Sequence, residues 1–288
     1  MSQQWETKTA LTTSPSLALA SPDSSRLVRR GIDDLAASTE AEEWFENGLA
    51  LWNQEKYLEA VRCFARSLRR NSNHPAAHFY VGLAFHQGIG VPQKDPAQAA
   101  ICWQKAAELG NAQAQNNLAV AYEQGLGVAR DYESAVFWFR KAAAQNDPTA
   151  QFNLGVLYEI GRGVSEDLEQ AARWYEKGAE QGCAAAQYNL GSMFRLGRGV
   201  VEHAARAAWW YRRAAQQDHP TAQFNLGAMY ELGQGVEQSL EYAAFWYKKA
   251  ADNGEESARQ AFVDVLKKLE AREHEDADRR RRHSIVGS

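Results

Sequence analysis

A repeat with a period of 36 residues constrains the fold of this 288-residue chain more than any other feature of its sequence. The same residue types recur at that spacing through the middle of the chain. They are Leu118, Leu154, Leu190 and Leu226; Gly125, Gly161, Gly197 and Gly233; and Trp138, Trp174, Trp210 and Trp246. A fixed period in this range is typical of a solenoid of stacked units and not of a globular enzyme fold.

One copy, residues 148–183, explains the period physically. Its first half places Leu154 and Tyr158 on one helical face, and Gly161 then favours a helix end because glycine readily adopts positive φ. Its second half places Trp174 among small residues at helical spacing, so this tryptophan and its equivalents are predicted to be core residues. The copy is therefore predicted to be a helix–turn–helix unit whose apolar faces need neighbouring copies to cover them.

The residue before each second helix is predicted to cap that helix. Asp95, Asp131, Asp167 and Ser239 occupy this position in four units, and their side chains can accept hydrogen bonds from free backbone N–H groups. His203 occupies the position in the remaining unit. The second helix of that unit is therefore predicted to lack a side-chain cap.

The repeated residues follow the pattern A-x-x-x-L-G-x-x-Y-x-x-G-x-G-V and then A-x-x-W-Y-x-x-x-A, which resembles the Sel1-like repeat family, a relative of the tetratricopeptide repeats. Matching copies span 75–111, 112–147, 148–183, 184–219 and 220–255. In the third copy the pattern residues are Ala150, Leu154, Gly155, Tyr158, Gly161, Gly163, Val164, Ala171, Trp174, Tyr175 and Ala179. The first copy departs from the pattern, with Cys102 where tryptophan is expected. The resemblance implies an all-α, right-handed superhelical solenoid of helix–turn–helix repeats.

Four segments flank the five repeats. Residues 1–38 are rich in Ser, Thr and Pro and are predicted to be a disordered tail, with a targeting or docking segment as the alternative. Residues 39–74 resemble one tetratricopeptide unit and are predicted to cap the first repeat. Residues 256–272 form an amphipathic pattern without a partner helix, which predicts a terminal capping helix. Residues 273–288 are charged and then basic, and are predicted to be a flexible tail.

Ser284 in the last segment is a candidate phosphorylation site. Four consecutive arginines, Arg279–Arg282, precede it, an arrangement that resembles the sites of basophilic kinases. A phosphate there would cancel part of the local positive charge. The alternative is that the basic tail only keeps the chain soluble.

The composition excludes several classes of function. The net charge is −4, so no global positive field attracts nucleic acid or anionic lipid. No apolar run is long enough to span a membrane, and the N-terminus lacks the pattern of a secretory signal. Cys63, Cys102 and Cys183 fall at unrelated repeat positions, so no disulfide is predicted. We expect a cytoplasmic protein, with a mitochondrial location as the weaker alternative.

The sequence offers no candidate for catalysis or for metal binding. His74, His78 and His86 lie near one another in sequence, but no further Cys or His spacing supports a metal site, so they are interpreted as surface histidines. No carboxylate pair is placed in a closed pocket, and no cysteine is paired with a histidine. Neither a metal nor a cofactor is expected.

One face of the first helices is the candidate protein-binding site. It lies away from the packing stripe and, in a tetratricopeptide-like superhelix, would line the concave groove. Its predicted lining residues are Phe79, Asn116, Phe152, Tyr188, Phe224, Val156, Ile160, Leu196 and Leu232. An asparagine ladder of Asn117, Asn153, Asn189 and Asn225 runs beside them, with Glu159, Arg195 and Glu231 at the rim. The alternative is that the aromatic residues pack on adjacent helices and the asparagines brace turns.

The resemblance implies a non-enzymatic adaptor that binds segments of other proteins in the concave groove. Its partners would be one or more unidentified proteins, without nucleic acid and without membrane insertion. A homo-oligomeric assembly or signalling-relay unit is the alternative. Weak hydrolase activity, claimed for some cysteine-rich relatives, is a remote one, because a fold does not name an activity.

Overall fold

The computed structural model describes the backbone of residues 22–286 and the side chains of 34–277, 279 and 280. This part of the chain forms thirteen helices and no strand. They are α1 (Pro22–Asn53), α2 (Tyr57–Arg70), α3 (Pro75–Gln87), α4 (Pro96–Glu108), α5 (Ala112–Gln124), α6 (Tyr132–Ala144), α7 (Pro148–Ile160), α8 (Leu168–Glu180), α9 (Ala184–Leu196), α10 (Ala204–Ala215), α11 (Pro220–Leu232), α12 (Leu240–Asp252) and α13 (Glu256–Val286).

Consecutive helices are neighbours in space, as expected of a solenoid in which each repeat contacts only the repeats beside it. Each odd-numbered helix packs on the even-numbered helix that follows it, and each even-numbered helix packs on the next odd one. The helices α3, α5, α7, α9 and α11 are called A helices below, and α4, α6, α8, α10 and α12 are called B helices. The predicted all-α solenoid is confirmed, and the pair α1/α2 stacks on the first repeat as a capping unit would.

Glycine ends every A helix, as the repeat pattern predicts. Gly161, with φ of 66°, caps α7 in the left-handed region, and its N–H donates to the carbonyl of Leu157. The second glycine of the turn has a different role. A Cβ atom on Gly163, with φ of 69°, would lie 2.4 Å from the carbonyl oxygen of Tyr132 at the start of the preceding B helix. The turn therefore needs glycine for its backbone conformation and for close contact between units.

The residue before each B helix accepts a hydrogen bond from the backbone in all five repeats. The carboxylate of Asp95, for example, accepts from the N–H groups of Ala97 and Gln98, each at 3.0 Å. The prediction that α10 lacks a cap is wrong. Nδ1 of His203 accepts from the N–H of Arg206 at 3.3 Å, because an unprotonated imidazole nitrogen is also an acceptor.

The most deeply buried aromatic residue of each unit follows the repeated tryptophan. Tyr175 is fully buried and lies against Gly155 of the paired A helix, where a Cβ atom would meet its ring at 2.7 Å. Trp174 and Trp138 are only partly buried but pack against the core cluster, whereas Trp210 and Trp246 are buried, so the predicted core position is confirmed in full for two of the four tryptophans. The equivalents of Tyr175 are all buried: Trp103, Phe139, Tyr211 and Tyr247.

A buried glutamine in each of four A helices braces one unit against the preceding one. Nε2 of Gln151 donates to the carbonyl of Ala143 at 3.3 Å, and Oε1 accepts from Gln181 Nε2 at 2.7 Å. The same bonds to the preceding B helix recur at Gln115, Gln187 and Gln223. Both ends of these buried amides are therefore satisfied, and the brace repeats with the same period as the core.

Both ends of the solenoid are more helical than the sequence predicts. The disordered tail predicted for 1–38 is wrong for residues 22–38, which belong to α1, and residues 1–21 lie outside the described part. The flexible tail predicted for 273–288 is wrong for residues 273–286, which continue α13, and Ser284 lies there without a described side chain. Adding a turn to an existing helix is much easier than nucleating one, so helices docked on the solenoid extend beyond it.

None of the described helices combines the length and hydrophobicity that a bilayer crossing requires. Most of the exposed residues of α13 are polar or charged. In α13, for example, Lys268 forms an ion pair with Glu231 at 2.6 Å, and Arg272 pairs with Glu241. These ion pairs link α13 to α11 and α12 of the last repeat, where Val265 of α13 also packs in the core.

Acid should destabilise the cap of α11. Nδ1 of His219 accepts from the N–H of Ala222 at 3.3 Å, the ring stacks on Tyr188 at 4.8 Å, and partial burial lowers the pKa of His219 below its usual value. The unfolded chain therefore binds this proton first, and stability is lost as pH falls below about 6.5. We expect the fall in melting temperature between pH 7.5 and 5.5 to be smaller in His219→Asn.

Asparagine is a suitable replacement because its side chain keeps an acceptor for the cap but does not titrate. Asn111 already caps α5 in this way, accepting from the N–H of Ala114 at 2.8 Å. Thermal unfolding of both proteins at the two pH values gives the comparison. Equal losses of melting temperature would show that His219 does not contribute to acid sensitivity.

Candidate protein-binding surface

Three apolar side chains stand exposed at the ends of successive A helices. Ile160, Leu196 and Leu232 are 46%, 53% and 63% exposed, and each is the last residue of its helix. They are called the A-helix ladder below. Neighbouring packed helices lie about 10 Å apart, so the ladder presents one large apolar group per unit at a regular spacing.

The aromatic residues predicted beside the ladder are partly buried. The rings of Phe152, Tyr188 and Phe224 lie 5.9, 5.8 and 5.4 Å from the buried tyrosine of the paired B helix. Val156 is also half-buried, and it packs with Phe152 and Tyr188 against the same core cluster. The aromatic residues therefore pack on the core, as the alternative interpretation predicts, and still keep part of their surface in solvent.

Two residues predicted to line the surface are inaccessible. Phe79 is 7% exposed and belongs to the core cluster around Trp103. Asn116 is 8% exposed, and its Oδ1 accepts from Asn153 Nδ2 at 3.2 Å. The prediction is wrong for these two positions, because both side chains are buried in the first two repeats.

The asparagine ladder is engaged within the protein along much of its length. Asn153 bonds across adjacent A helices to Asn116, and Asn117 Oδ1 accepts from Asn116 Nδ2 at 3.4 Å. Asn189 lies beside the hydroxyl of Tyr175. Asn117, Asn153, Asn189 and Asn225 are all partly exposed. The bond between Asn116 and Asn153 joins two A helices and does not brace a turn, which was the alternative in the sequence interpretation.

The two glutamates at the rim are joined to the buried core. Oε2 of Glu159 accepts from the hydroxyl of Tyr175 at 2.7 Å, and its Oε1 forms an ion pair with Arg198 at 3.0 Å. Oε2 of Glu231 accepts from Tyr247 at 2.7 Å. Burial opposes the ionisation of Glu231, but hydrogen bonds from Lys268 and Tyr247 outweigh it, so the pKa of Glu231 is lowered. Both carboxylates are thus held in place by their hydrogen bonds and ion pairs.

Arginine replaces glutamate at the equivalent rim position of the fourth repeat. Arg195 is exposed and lies beside the hydroxyl of Tyr211, which is 2.9 Å from Ser192 Oγ. The charges beside the A-helix ladder therefore alternate from Glu159 to Arg195 to Glu231. One positive charge therefore lies between two negative ones along the rim.

The three clustered histidines each have a structural contact. His74 is buried and its Nδ1 accepts from the N–H of Ala77 in the first turn of α3, so its interpretation as a surface residue is wrong. Nε2 of His78 lies 2.9 Å from the carbonyl oxygen of Ser72, and the ring of His86 packs 5.2 Å from that of Trp103. Across the described residues, no group of three or more His, Cys, Asp or Glu side chains is placed to hold a metal ion.

The three cysteines are free thiols. Cys63 is buried, and Cys102 and Cys183 are partly buried. Burial raises the pKa of Cys102 to about 11, so its thiol is protonated at neutral pH. Because the thiolate is the reactive form, this environment suits a packing residue and not a nucleophile.

The sequence profile described as Sel1 repeat matches residues 75–111, 112–147, 148–183, 184–219 and 220–255. A Sel1 repeat protein from Oxalobacter formigenes is 40% identical, with a TM-score of 0.69 over 74% of this chain and 86% of that one. The c5321 protective antigen of uropathogenic Escherichia coli, which has the SLR fold, is 34% identical, with a TM-score of 0.76 over 84% of this chain. The match spans about half of that antigen, 52% of its chain. Among curated protein sequences none matches.

Proteins built from this repeat generally mediate protein–protein interaction, and the scaffold is typically non-catalytic. The five matched repeats cover most of the chain, in the same frame as the glycine turns and buried aromatic residues described above. The 36-residue period, the helix pairs and the matched repeats agree. The chain belongs to the Sel1 repeat family.

Proposed function

We propose that this protein is a non-enzymatic adaptor that binds a segment of another protein along the A-helix ladder. The observation that carries the proposal is the exposure of Ile160, Leu196 and Leu232, three large apolar side chains in register on successive units. Exposed apolar groups that form an ordered row are typical of recognition surfaces, whereas isolated ones are common on any protein. The three free thiols fit a reducing compartment such as the cytoplasm.

The spacing of the ladder favours an extended partner segment. Adjacent units lie about 10 Å apart and an extended peptide advances about 3.3 Å per residue, so every third peptide residue would meet one rung. The exposed edges of Phe152, Tyr188 and Phe224 widen this apolar strip. Such contacts supply most of the affinity in protein interfaces.

Charge would then set the register of the bound segment. Arg195 is the exposed cation between two glutamates that already have cationic partners, Arg198 and Lys268. A carboxylate of the partner beside the middle rung would meet Arg195 directly. Rim charges of this kind affect selectivity and association rate more than total affinity.

The test uses a variant that removes the apolar rungs together: Ile160→Ser, Leu196→Ser and Leu232→Ser. A partner is first identified by affinity capture with the intact protein and mass spectrometry, and its binding is then measured with purified proteins. We expect the triple variant to bind at least tenfold more weakly, about 1.4 kcal/mol, because the apolar contacts are lost. Its unfolding should change little, since exposed positions are tolerant.

The matched control is Leu58→Ser, at a position on α2 that is 55% exposed and outside the five repeats. It removes an apolar side chain of comparable exposure without touching the ladder, and should bind the partner as well as the unmodified protein does. A triple variant that binds with unchanged affinity would contradict the proposal.

A homo-oligomeric assembly is the second candidate function. Exposed apolar side chains on α13, at the C-terminal end of the solenoid, favour it. Val263 and Leu266 of α13 are 44% and 39% exposed. They lie on the last helix of the stack. Light scattering over a concentration series tests this candidate. A rise in mass with concentration that Leu266→Lys abolishes would support assembly through this end, and a constant monomer mass would exclude it.

A further inference from the structure

Asparagine is followed directly by glycine at two places in this chain, Asn47–Gly48 and Asn253–Gly254. Such a pair is prone to lose the asparagine amide, because the backbone nitrogen of the glycine can attack the side-chain carbonyl carbon and glycine has no side chain to obstruct the approach. Both asparagine side chains are exposed. The reactivity of the two pairs therefore depends on the backbone around each of them.

The first pair is protected by a helix and by packing. Asn47 and Gly48 lie inside α1, which continues to Asn53. Gly48 is buried, and a Cβ atom there would lie 2.6 Å from the ring of Phe64 on α2. The rotation that brings the nitrogen of Gly48 to the side chain of Asn47 would therefore require α1 and α2 to separate, and such openings are rare.

The second pair lies at a helix end. Asn253 is the C-cap of α12, and Gly254 follows it with φ of 94°. Gly254 is exposed, and a Cβ atom there would meet nothing within 4 Å. Its N–H donates to the carbonyl of Ala251 at 3.1 Å, a bond of the last turn. Helix ends open far more often than helix interiors, so the nitrogen of Gly254 is released more often than that of Gly48.

The amide of Asn253 also has a structural role, because it completes the brace at Gln223. Its Nδ2 donates to Oε1 of Gln223 at 2.9 Å and lies 3.4 Å from Oδ1 of Asp218. In the three preceding repeats a glutamine makes the equivalent bond to the buried glutamine: Gln145, Gln181 and Gln217. The fifth repeat thus has an asparagine before glycine where the others have glutamine.

We propose that Asn253 is a site of spontaneous deamidation, and that the reaction breaks the brace between α11 and α12. The backbone nitrogen of Gly254 loses its proton to solvent and attacks Cγ of Asn253. An N–Cγ bond forms, the Cγ–Nδ2 bond breaks, and Nδ2 leaves as ammonia after taking up a proton. Water then opens the cyclic imide at one of its two carbonyls, which leaves aspartate or isoaspartate. No oxidant or reductant takes part.

The carboxylate product cannot form the brace. It has no N–H to donate, and its oxygens would face Oε1 of Gln223 and the carboxylate of Asp218. Rotation of the Gln223 amide does not solve this, because its Nε2 already donates to the carbonyl of Ala215 at 3.0 Å. Gln223 is fully buried, so its Oε1 would be left without a donor. Deamidation therefore weakens the contact between α11 and α12.

Peptide mapping of the aged full-length chain measures both reactions in one sample. The protein is stored in mildly alkaline buffer, digested with trypsin and analysed by mass spectrometry, and isoaspartate is detected with isoaspartyl methyltransferase. We expect Asn253 to be converted at least about tenfold faster than Asn47 in the folded protein, because its helix end opens more often. In concentrated urea the two rates should agree within about threefold, since the protecting structure is then lost.

Asn253→Gln is the matched variant. It introduces the residue of the preceding repeats, keeps an N–H donor and reacts more slowly, because the longer side chain must close a larger ring. We expect complete conversion to lower the melting temperature of the original chain by about 2–4 °C. The same storage should leave the melting temperature of Asn253→Gln unchanged, and freshly prepared Asn253→Asp should show the fall without storage.

Any of three results would overturn the proposal. One is conversion of Asn253 no faster than that of Asn47 in the folded chain. Another is a rate difference that persists in urea, which would assign it to the neighbouring residues instead of the fold. The third is an Asn253→Asp variant that melts at the same temperature as the original chain. None of these measurements depends on the A-helix ladder or on a partner.

Discussion

Replacing Tyr175 with alanine is expected to destabilise the solenoid by ~3–5 kcal/mol, because it removes a fully buried aromatic side chain that the surroundings cannot collapse to fill. The ring lies directly on Gly155, so the helix pair α7/α8 is fitted to this one side chain. Its hydroxyl donates to Glu159 at 2.7 Å, and burial raises the pKa of the tyrosine, which keeps it a donor. Urea unfolding followed by circular dichroism measures the loss.

Two variants separate the contributions of ring and hydroxyl. Tyr175→Phe keeps the ring and should cost only about 1 kcal/mol, the usual value of one hydrogen bond. Trp174→Ala removes the half-buried neighbour and should lower the free energy of unfolding less than Tyr175→Ala does, although tryptophan is the larger side chain. A greater loss for Trp174→Ala would contradict the packing described for the unit.

Replacing Gly199 with alanine is expected to weaken the junction between the third and fourth repeats by roughly 2–4 kcal/mol. The residue has φ of 65°, and a Cβ atom would lie 2.2 Å from the carbonyl oxygen of Leu168 at the start of α8. That oxygen belongs to the backbone and cannot rotate away. The substitution therefore adds a clash between units to the ordinary strain of an alanine with positive φ.

Gly182→Ala is the matched control for this prediction. Gly182 has φ of 95°, and a Cβ atom there would meet nothing within 4 Å. Its substitution should cost only the backbone strain, ~1–2 kcal/mol. The comparison uses the urea midpoints of the two variants. Similar midpoints would show that the contact of Gly199 with the preceding unit is not a source of stability.

The repeat pattern predicts most of this fold because each unit repeats the same local rules. The helix ends at Gly161 and the caps at Asp95 and its equivalents follow from residue type and position alone. The choice between Trp174 and Tyr175 does not. Adjacent helical residues point about 100° apart, so the rotation of α8 decides which aromatic is buried, and the contact with Gly155 sets that rotation.

The other differences between the sequence-based predictions and the structure have separate causes. The cap at His203 depends on an imidazole nitrogen whose protonation the sequence does not show. The helical extension of α1 and α13 depends on docking to the solenoid, and their compositions alone resemble tails. Residue type alone therefore predicts the periodic middle of the chain better than its two ends.

The candidate surface was predictable in position but not in exposure. Periodicity places Phe152, Tyr188 and Phe224 on one face of the A helices, yet each ring packs on a buried tyrosine of its own unit. The more exposed apolar side chains lie at the ends of the A helices. The exposed aromatic residues of the B helices were missed. The signal was present in the sequence as an aromatic residue directly before the repeated tryptophan, at Phe137, Trp209 and Phe245.

Site-specific photo-crosslinking tests most directly whether a partner binds along the A-helix ladder. A benzophenone amino acid is introduced singly at Ile160, Leu196 and Leu232, and at the control position Leu58, and each protein is irradiated with the purified partner. We expect crosslinks from all three ladder positions and none from Leu58. Crosslinking from Leu58 without crosslinking from the ladder would contradict the account.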